Sequence, residues 1–454
     1  MALRVKFGAC LLVFCAVLAA QAREPAVATD DVTPETADTA HLSGGGPSLV
    51  TRSDPDYRNV LFGSASFGAS FDTEGFTNPN GSTSSDFRFF AQPSVAFRQT
   101  RPTTNWTLSY TPGVSVGQHE TDTTEFTHNL AADGVWKVTP RLTLHARQDY
   151  SISTNPFESV GRVALLPDLG GYFGPNYDGV LPSTKRTSYV TNADISYRMT
   201  PHTAIGITGG YQQFDYGSIN AIQLSPASLI DSTVVNGSIF VSYQMSKRQT
   251  LGVQLAYTDI YSNSTMESRV QAPAVLLFDT IKLTPHSTLS AFAGPQYARS
   301  STVVPTTIGG VPGEETFAQR DWHPSAGVTY IWTGTHDAVN LQFSRRISSG
   351  GGLMNANTMT FGSAAFRSRF TKRWTAEARL SVDNEDEIDL INQNVYFQTV
   401  WTGGSLAREV NRHCTIRMDG AYVRQTGAGL GFAPGNHGLI QLTVDVHFLK
   451  GLGQ

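Results

Sequence analysis

Charged residues are scarce in this chain: 33 Lys and Arg and 37 Asp and Glu make up 15% of its 454 residues. Soluble domains typically carry about 25% charged residues. The net charge of −4 gives no basic surface of the kind that nucleic-acid binding requires. The same low charge density excludes an acidic disordered chain.

Long apolar runs are also missing beyond the N-terminus. No run after residue 22 approaches the ~18 residues that a membrane-spanning helix requires, so a helical membrane bundle is excluded. Aromatic residues, by contrast, reach 10% of the chain. A long, charge-poor and aromatic-rich sequence favours β structure.

Cysteine is rare, with three residues in the chain. Cys10 and Cys15 lie within residues 1–22, which leaves Cys414 without a partner for an intramolecular disulfide. The fold must therefore be stable without disulfides. With scattered histidines and no second cysteine near Cys414, we expect no metal site and no cofactor.

The chain is expected to have three parts. Residues 1–22 have the pattern of a secretory signal peptide, because Arg4 and Lys6 precede an apolar stretch that ends in Ala-Gln-Ala. Residues 23–57 are rich in Ala, Thr, Asp and Pro without periodicity, which is typical of a flexible periplasmic lead-in. Residues 58–454 carry a regular two-residue period.

The segment Asn105–Gln118 illustrates this period. Alternate side chains of a strand point to opposite faces. One face carries Trp106, Leu108, Tyr110, Pro112, Val114 and Val116. The other face carries Thr, Ser and Gly, so the strand has an oily and a hydroxylated side. The same pattern recurs to the end of the chain.

Eight short turns punctuate the pattern, several with the sequence Thr-Pro, and longer polar segments alternate with them. The turns are Thr100–Asn105, Thr139–Arg141, Thr200–His202, Ser246–Gln249, Thr284–His286, Thr333–Asp337, Thr371–Arg373 and Val410–His413. They join sixteen strands, and one strand precedes and one follows them. We therefore expect a closed antiparallel transmembrane β-barrel of about 18 strands, with 16 as the alternative because Ser268–Ile281 and Asn357–Phe370 are weakly patterned.

Alternation alone does not distinguish a soluble sandwich, with its apolar face inward, from a membrane barrel, with its apolar face outward. Tryptophans near the short turns favour the barrel, since they form an interfacial girdle. The predicted girdle is Trp106, Trp136, Trp332 and Trp374. Charges on the polar face within strands also favour it, because a wet lumen tolerates them and lipid does not. The predicted lumen-lining residues are Arg88, Arg98, His145, Arg147, Asp149, Asp194, Arg198, Glu377, Arg379, Arg417 and Asp419.

Over residues 58–454 this pattern resembles the Gram-negative outer-membrane barrels of porin-like type. The last strand, Ile440 to Phe448, is similar to the signal that such proteins present to the barrel-assembly machinery, although Leu449–Gln454 follows it. The resemblance implies a bacterial outer-membrane location, contact with outer-membrane lipid and lipopolysaccharide, and compatibility with a homotrimer.

A barrel of this size leaves an aqueous channel, and the 35 residues of segment 23–57 are too few for a separate plug domain. We therefore expect passive diffusion of small hydrophilic solutes rather than enzyme activity. The longest external connection is Ser153–Arg186, and porin-like barrels often narrow their pore with this third loop. Its carboxylates Glu158, Asp168 and Asp178, facing lumen arginines, would set up a transverse field. The alternative is a loop packed over the outer rim.

Two other functions remain open in the sequence. A conduit or assembly partner for the export of surface polysaccharide or of secreted proteins fits a wide barrel equally well. An outer-membrane hydrolase would need a nucleophile next to a histidine such as His145 or His323, and no nucleophile can be placed. The acidic stretch Asn384–Asp389 is expected in an external loop, either solvated or bridged to lipopolysaccharide by divalent cations.

Overall fold

The computed structural model describes residues 59–77, 83–117, 124–153, 185–216, 230–263, 267–308, 311–350, 355–388, 395–411, 413–428 and 435–451. The expected signal peptide, the expected lead-in and most of the connection between residues 153 and 186 lie outside these ranges. In the described ranges, no helix is long and apolar enough to cross a membrane.

The described residues form 18 strands. They are β1 (Asn59–Thr77), β2 (Thr83–Thr100), β3 (Thr104–Gly117), β4 (Thr124–Lys137), β5 (Leu142–Ser153), β6 (Arg186–Arg198), β7 (Thr203–Tyr216), β8 (Asp231–Ser246), β9 (Gln249–Asn263), β10 (Glu267–Thr284), β11 (Ser287–Ile308), β12 (Val311–Thr333), β13 (Asp337–Ser349), β14 (Ala356–Ser368), β15 (Trp374–Glu387), β16 (Tyr396–Asn411), β17 (Cys414–Ala428) and β18 (Gly435–Gly451). The expected strand number is confirmed, and the two weakly patterned segments are β10 and β14.

The sheet closes on itself. Each strand pairs with its chain neighbours, and β1 pairs with both β2 and β18. The seam between the first and last strands is antiparallel and continuous from Val60 opposite Gly451 to Asp72 opposite Leu439. Closure leaves neither the first nor the last strand with an unpaired edge, as a sheet in hydrocarbon requires.

The Thr-Pro turns owe their geometry to the threonine. The hydroxyl of Thr139 accepts hydrogen bonds from the backbone N–H groups of Arg141 and Leu142, at 3.2 and 3.0 Å. Thr200 does the same for His202 and Thr203, at 3.2 and 2.9 Å. The threonine thus satisfies two turn amides. The proline after it has no N–H to satisfy.

The two faces of the sheet have the inverted polarity of a membrane barrel. Large apolar side chains are exposed on the outside, such as Ile239 at 54% and Leu255 at 57%. Ser238 and Gln254, the residues before them in β8 and β9, are 6% and 5% exposed and hydrogen-bond to each other at 2.8 Å. A soluble sandwich would bury the apolar set and expose the polar one, so that alternative is wrong.

The outer face of β12 shows how tall the apolar band is. Trp332 lies next to a short turn and Trp322, which is 70% exposed, lies ten residues up the strand. Ten extended residues cover about 33 Å. With the tilt usual in such barrels, this becomes about 25 Å, the height of the apolar band in outer-membrane barrels. Arg320 lies on the same face two residues before Trp322, farther from the short turn, and marks the external end of the band.

The external connections are not uniformly long. Strands β11 and β12 are 22 and 23 residues long and stay paired up to Ile308 opposite Val311. Only residues 309–310 separate them, because the chain expected as a loop continues the alternating pattern and extends the hairpin beyond the apolar band.

Candidate functional site: the barrel interior

All eleven residues predicted to line the lumen lie on the inner face of the sheet. Arg88, for example, lies opposite the buried Ser70, and Arg98 lies opposite the buried Thr107. The register of β5 and β6 places His145 opposite Asp194 on the inner side. The four girdle tryptophans lie on the outer face near the short turns, and Trp374 carries the guanidinium of Arg408 over its ring at 5.4 Å.

An arginine bridge spans β2 and β4 on the inner wall. The Nε atom of Arg88 donates to Asp86 at 3.0 Å, and its Nη1 atom donates to Glu125 at 2.7 Å. The Arg88 side chain is 16% exposed. Charge-assisted bonds to two carboxylates hold it against the wall rather than in the centre of the lumen.

A second charged group spans β4, β5 and β6. The imidazole of His145 lies between two carboxylates, with Nδ1 at 2.7 Å from Asp194 and Nε2 at 3.0 Å from Asp133. Arg147 is two residues after His145 in β5, and its Nε atom donates to Asp149 at 2.6 Å. Both ring nitrogens of His145 are thus engaged by aspartates from neighbouring strands, which sequence reasoning did not pair.

A third group lies on β14 to β17. Glu377 accepts a hydrogen bond from Arg379 at 2.7 Å and lies 3.5 Å from Arg367. In β17, Arg417 donates to Asp419 at 3.0 Å. As in the first two groups, each of these arginines has an acidic partner.

The closing seam carries polar pairs that join the two ends of the barrel sequence. Ser66 donates to Asp445 at 2.6 Å, and the buried His437 bonds Asp72. These partners are more than 360 positions apart, so only closure of the sheet brings them together.

The ends of β13 and β14 turn into the barrel, and we call residues 346–349 with residues 355–359 the inner hairpin. Strand β12 pairs with β13 only as far as Ala326 opposite Arg345. Beyond that point Ile347 and Ala356 pack with Ile260 and with other apolar residues on the inner faces of β8 to β11. Contacts between β13 and β9, which have three strands between them in the wall, confirm that the hairpin crosses the interior.

Polar contacts fix the inner hairpin in place. Ser262 near the end of β9 donates to the backbone oxygen of Asn355 at 3.2 Å. The Thr358 hydroxyl lies 3.3 Å from Nδ1 of His323 on the inner face of β12. The Nδ2 group of Asn357 donates to Glu385. The hairpin is therefore anchored to β9, β12 and β15 as well as packed against β8 to β11.

The acidic stretch Asn384–Asp389 is not the external loop that we expected. Residues 384–387 belong to β15, where Asn384 lies opposite Gln398 and Asp386 opposite Tyr396. Glu385 points inward and is 1% exposed. The strand continues through this stretch because Asn357 of the inner hairpin donates a hydrogen bond to Glu385, whose carboxylate would otherwise be costly to bury.

Sequence reasoning also missed the apolar part of the interior. Met359, Phe361, Phe397 and Trp401 occupy inward positions and are 0% to 7% exposed. Residues 356–359 of β14 are buried on both faces, unlike a strand with one lipid face. Their sequence, Ala-Asn-Thr-Met, carries no apolar run that would have indicated this burial.

The expected constriction residues Glu158, Asp168 and Asp178 lie outside the described residues. Among the residues that are described, no group of three or more His, Cys, Asp or Glu side chains is arranged to hold a metal ion.

No family model and no curated protein matches the sequence. Solved structures with similar architecture include the open form of the ferric-catecholate import receptor Fiu from E. coli K12, with a TM-score of 0.44, 10% identity and coverage of 86% of this chain and 81% of that one. OccK2 (OpdF) of Pseudomonas aeruginosa has a TM-score of 0.42, 9% identity and coverage of 87% and 98%. OpdQ of the same organism has a TM-score of 0.40, 9% identity and coverage of 86% and 99%. Likeness at this level carries no argument about substrate or mechanism.

The chain forms a transmembrane β-barrel of porin-like architecture. This follows from its own geometry: a closed antiparallel sheet, an apolar outer band of membrane height and a polar, charged inner face.

Proposed function

We propose that the protein is an outer-membrane channel through which small hydrophilic solutes diffuse passively. The observation that carries the proposal is the inner wall of β1 to β6 and β15 to β18, which is lined by ion-paired side chains such as Arg88 with Glu125 and Arg379 with Glu377. Such a wall is stable next to water and costly next to hydrocarbon.

The inner hairpin would narrow this path from one side. It fills the space in front of β8 to β11, where Ile260 and Val270 are 1% exposed. The charged pairs line the remaining arc, so solutes would pass between the inner hairpin and the charged wall. Among the described residues, the inner wall carries no continuous row of unpaired basic side chains. A path with one charged side of mixed sign favours small polar solutes without strong charge preference.

The connection between residues 153 and 186 is a second proposed constriction. It joins β5 and β6, whose inner faces carry the His145 and Arg147 groups. Carboxylates at Glu158, Asp168 and Asp178 would face those groups if the loop enters the lumen. Deleting residues 170–182 should then raise the single-channel conductance, and unchanged conductance would place the loop outside the pore.

Conductance of the purified barrel in planar bilayers tests the channel itself. We expect discrete single-channel steps in KCl, and flux of small sugars into vesicles that contain the protein. A correctly folded barrel that gives neither would contradict the proposal.

A hydrolase is not favoured by the interior contacts. His145, the candidate base on β5, has both ring nitrogens bonded to carboxylates. Asp149, four residues further along the same face of β5, is bonded to Arg147 at 2.6 Å. This arrangement leaves His145 no nitrogen to activate a serine or cysteine nucleophile.

A further inference from the structure

Three arginines lie together on the outer face at the external end of the apolar band. Arg299 in β11 and Arg320 in β12 are directly opposite each other. In β10, Gln271 lies opposite Arg299, and Arg269 is two residues further along, so Arg269 is the diagonal neighbour of Arg299. The residues on either side of Arg299, Ala298 and Ser300, face inward and are buried, so Arg299 faces outward.

The electrostatics of this group are unfavourable without a further anion. Arg269 is bonded to Asp259 at 2.9 and 2.6 Å, and its side chain is 53% exposed. Within the described residues, Arg299 and Arg320 have no acidic partner. Like charges directly opposite each other destabilise a strand pair, whereas an oxyanion between two guanidiniums would form charge-assisted bonds to both.

An apolar recess lies directly below the arginines. Two residues from the Arg299 and Arg320 pair, the rings of Tyr297 and Trp322 are 5.0 Å apart. Below them, a recess of about 390 Å³ is lined by Pro295, Trp322 and Pro324 among others. Its flank is open, because β12 loses its pairing with β13 beyond Ala326, where β13 turns inward.

We propose that this surface, Arg269, Arg299 and Arg320 with the recess below, binds the phosphorylated headgroup of lipopolysaccharide in the outer leaflet. A phosphate lies between Arg299 and Arg320, and an acyl chain of the same molecule packs against Pro295 and Trp322. The order along the membrane normal, cation above aromatic ring above apolar recess, matches the order of phosphate and acyl chain in such a lipid. A soluble anion would make no use of the recess.

The test compares two double variants of the full chain, folded in detergent. Arg299→Gln with Arg320→Gln removes the opposed pair. Arg369→Gln with Arg373→Gln is the matched control, since it removes two exposed charges at a short turn on the opposite side of the membrane. Binding of lipopolysaccharide is titrated, and circular dichroism verifies the sheet content of each protein.

We expect the Arg299 and Arg320 variant to bind lipopolysaccharide about tenfold more weakly, and the control to bind as the unaltered protein does. Dephosphorylated lipopolysaccharide should bind the unaltered protein as weakly as the intact lipid binds the variant. Equal affinity of both double variants would overturn the proposal. If the double variant does not fold, Arg320→Gln alone is titrated, with the same direction expected.

Trp322→Ala separates a lipid site from a general anion site. It should weaken lipopolysaccharide binding and leave competition by inorganic phosphate unchanged. Competition by inorganic phosphate as effective as by the lipid would show a free-anion site and overturn the assignment. Lipopolysaccharide binding is measured on the protein in detergent, so a negative binding result says nothing about whether the barrel conducts ions.

Discussion

Val328 and Thr329 are adjacent residues of β12 that meet opposite surroundings. Val328 is 39% exposed on the outer face, four residues from Trp332 and six from Trp322, near the middle of the apolar band. Thr329 faces inward opposite Ser290. A one-residue step along a strand therefore exchanges hydrocarbon for the polar interior, and the two positions should tolerate charge differently.

Val328→Arg should destabilise the barrel by about 2–4 kcal/mol, because it places a cation near the bilayer midplane. Thr329→Arg is the matched control and should cost less, since its guanidinium would lie among inner-face hydroxyls. The measurement is urea unfolding in lipid vesicles. A larger loss of stability for Thr329→Arg would mean that the two faces are assigned the wrong way round, and equal losses would contradict the difference between the faces.

The inner hairpin is the element that most changes the interior. In an ordinary barrel strand, one face meets lipid or water outside and the other meets the lumen. At the ends of β13 and β14 both faces are buried, since Ile347 packs on the inner side of β8 to β11 and Asn357 meets Glu385 of β15. The structure thus contains a lumen-filling segment made from two wall strands.

Replacing residues 347–357 with a short Gly-Ser linker should raise the single-channel conductance about twofold or more, because it empties the side of the lumen in front of β8 to β11. Trimming residues 305–312, the external tip of the β11–β12 hairpin, is the control and should leave conductance unchanged. Unaltered conductance after the first replacement would show that the inner hairpin lies away from the conducting path.

Pairing balances much of the charge on the inner wall. Arg88 in β2, Arg147 in β5, Arg379 in β15 and Arg417 in β17 each lie within 3.0 Å of a carboxylate. Among the described residues, Arg98 and Arg198 form no ion pair, and they lie apart on β2 and β6. A solute therefore meets alternating local fields rather than one sign of charge. Weak preference between K⁺ and Cl⁻ is expected, and a reversal potential measured across a KCl gradient tests it.

Removing the positive members of two pairs should shift that selectivity. In the Arg147→Gln and Arg379→Gln double variant, Asp149 loses its counter-charge and Glu377 keeps only Arg367 at 3.5 Å. The inner wall becomes more negative by two charges, so the K⁺ to Cl⁻ permeability ratio should rise about twofold or more. Arg369→Gln, at a short turn, is the control. A reversal potential identical in all three proteins would contradict a conducting path along the charged wall.

Local sequence patterns were sufficient to predict the strands, because period-two alternation and Thr-Pro turns are properties of neighbouring residues. Strand number, turn positions and the inward face of each strand all follow from them. The partners of His145 and Glu377 do not, since they depend on cross-strand register. The inner hairpin and the burial of Glu385 depend on which elements pack in the barrel interior. The seam pairs Ser66–Asp445 and Asp72–His437 depend on closure of the sheet, which joins residues more than 360 positions apart.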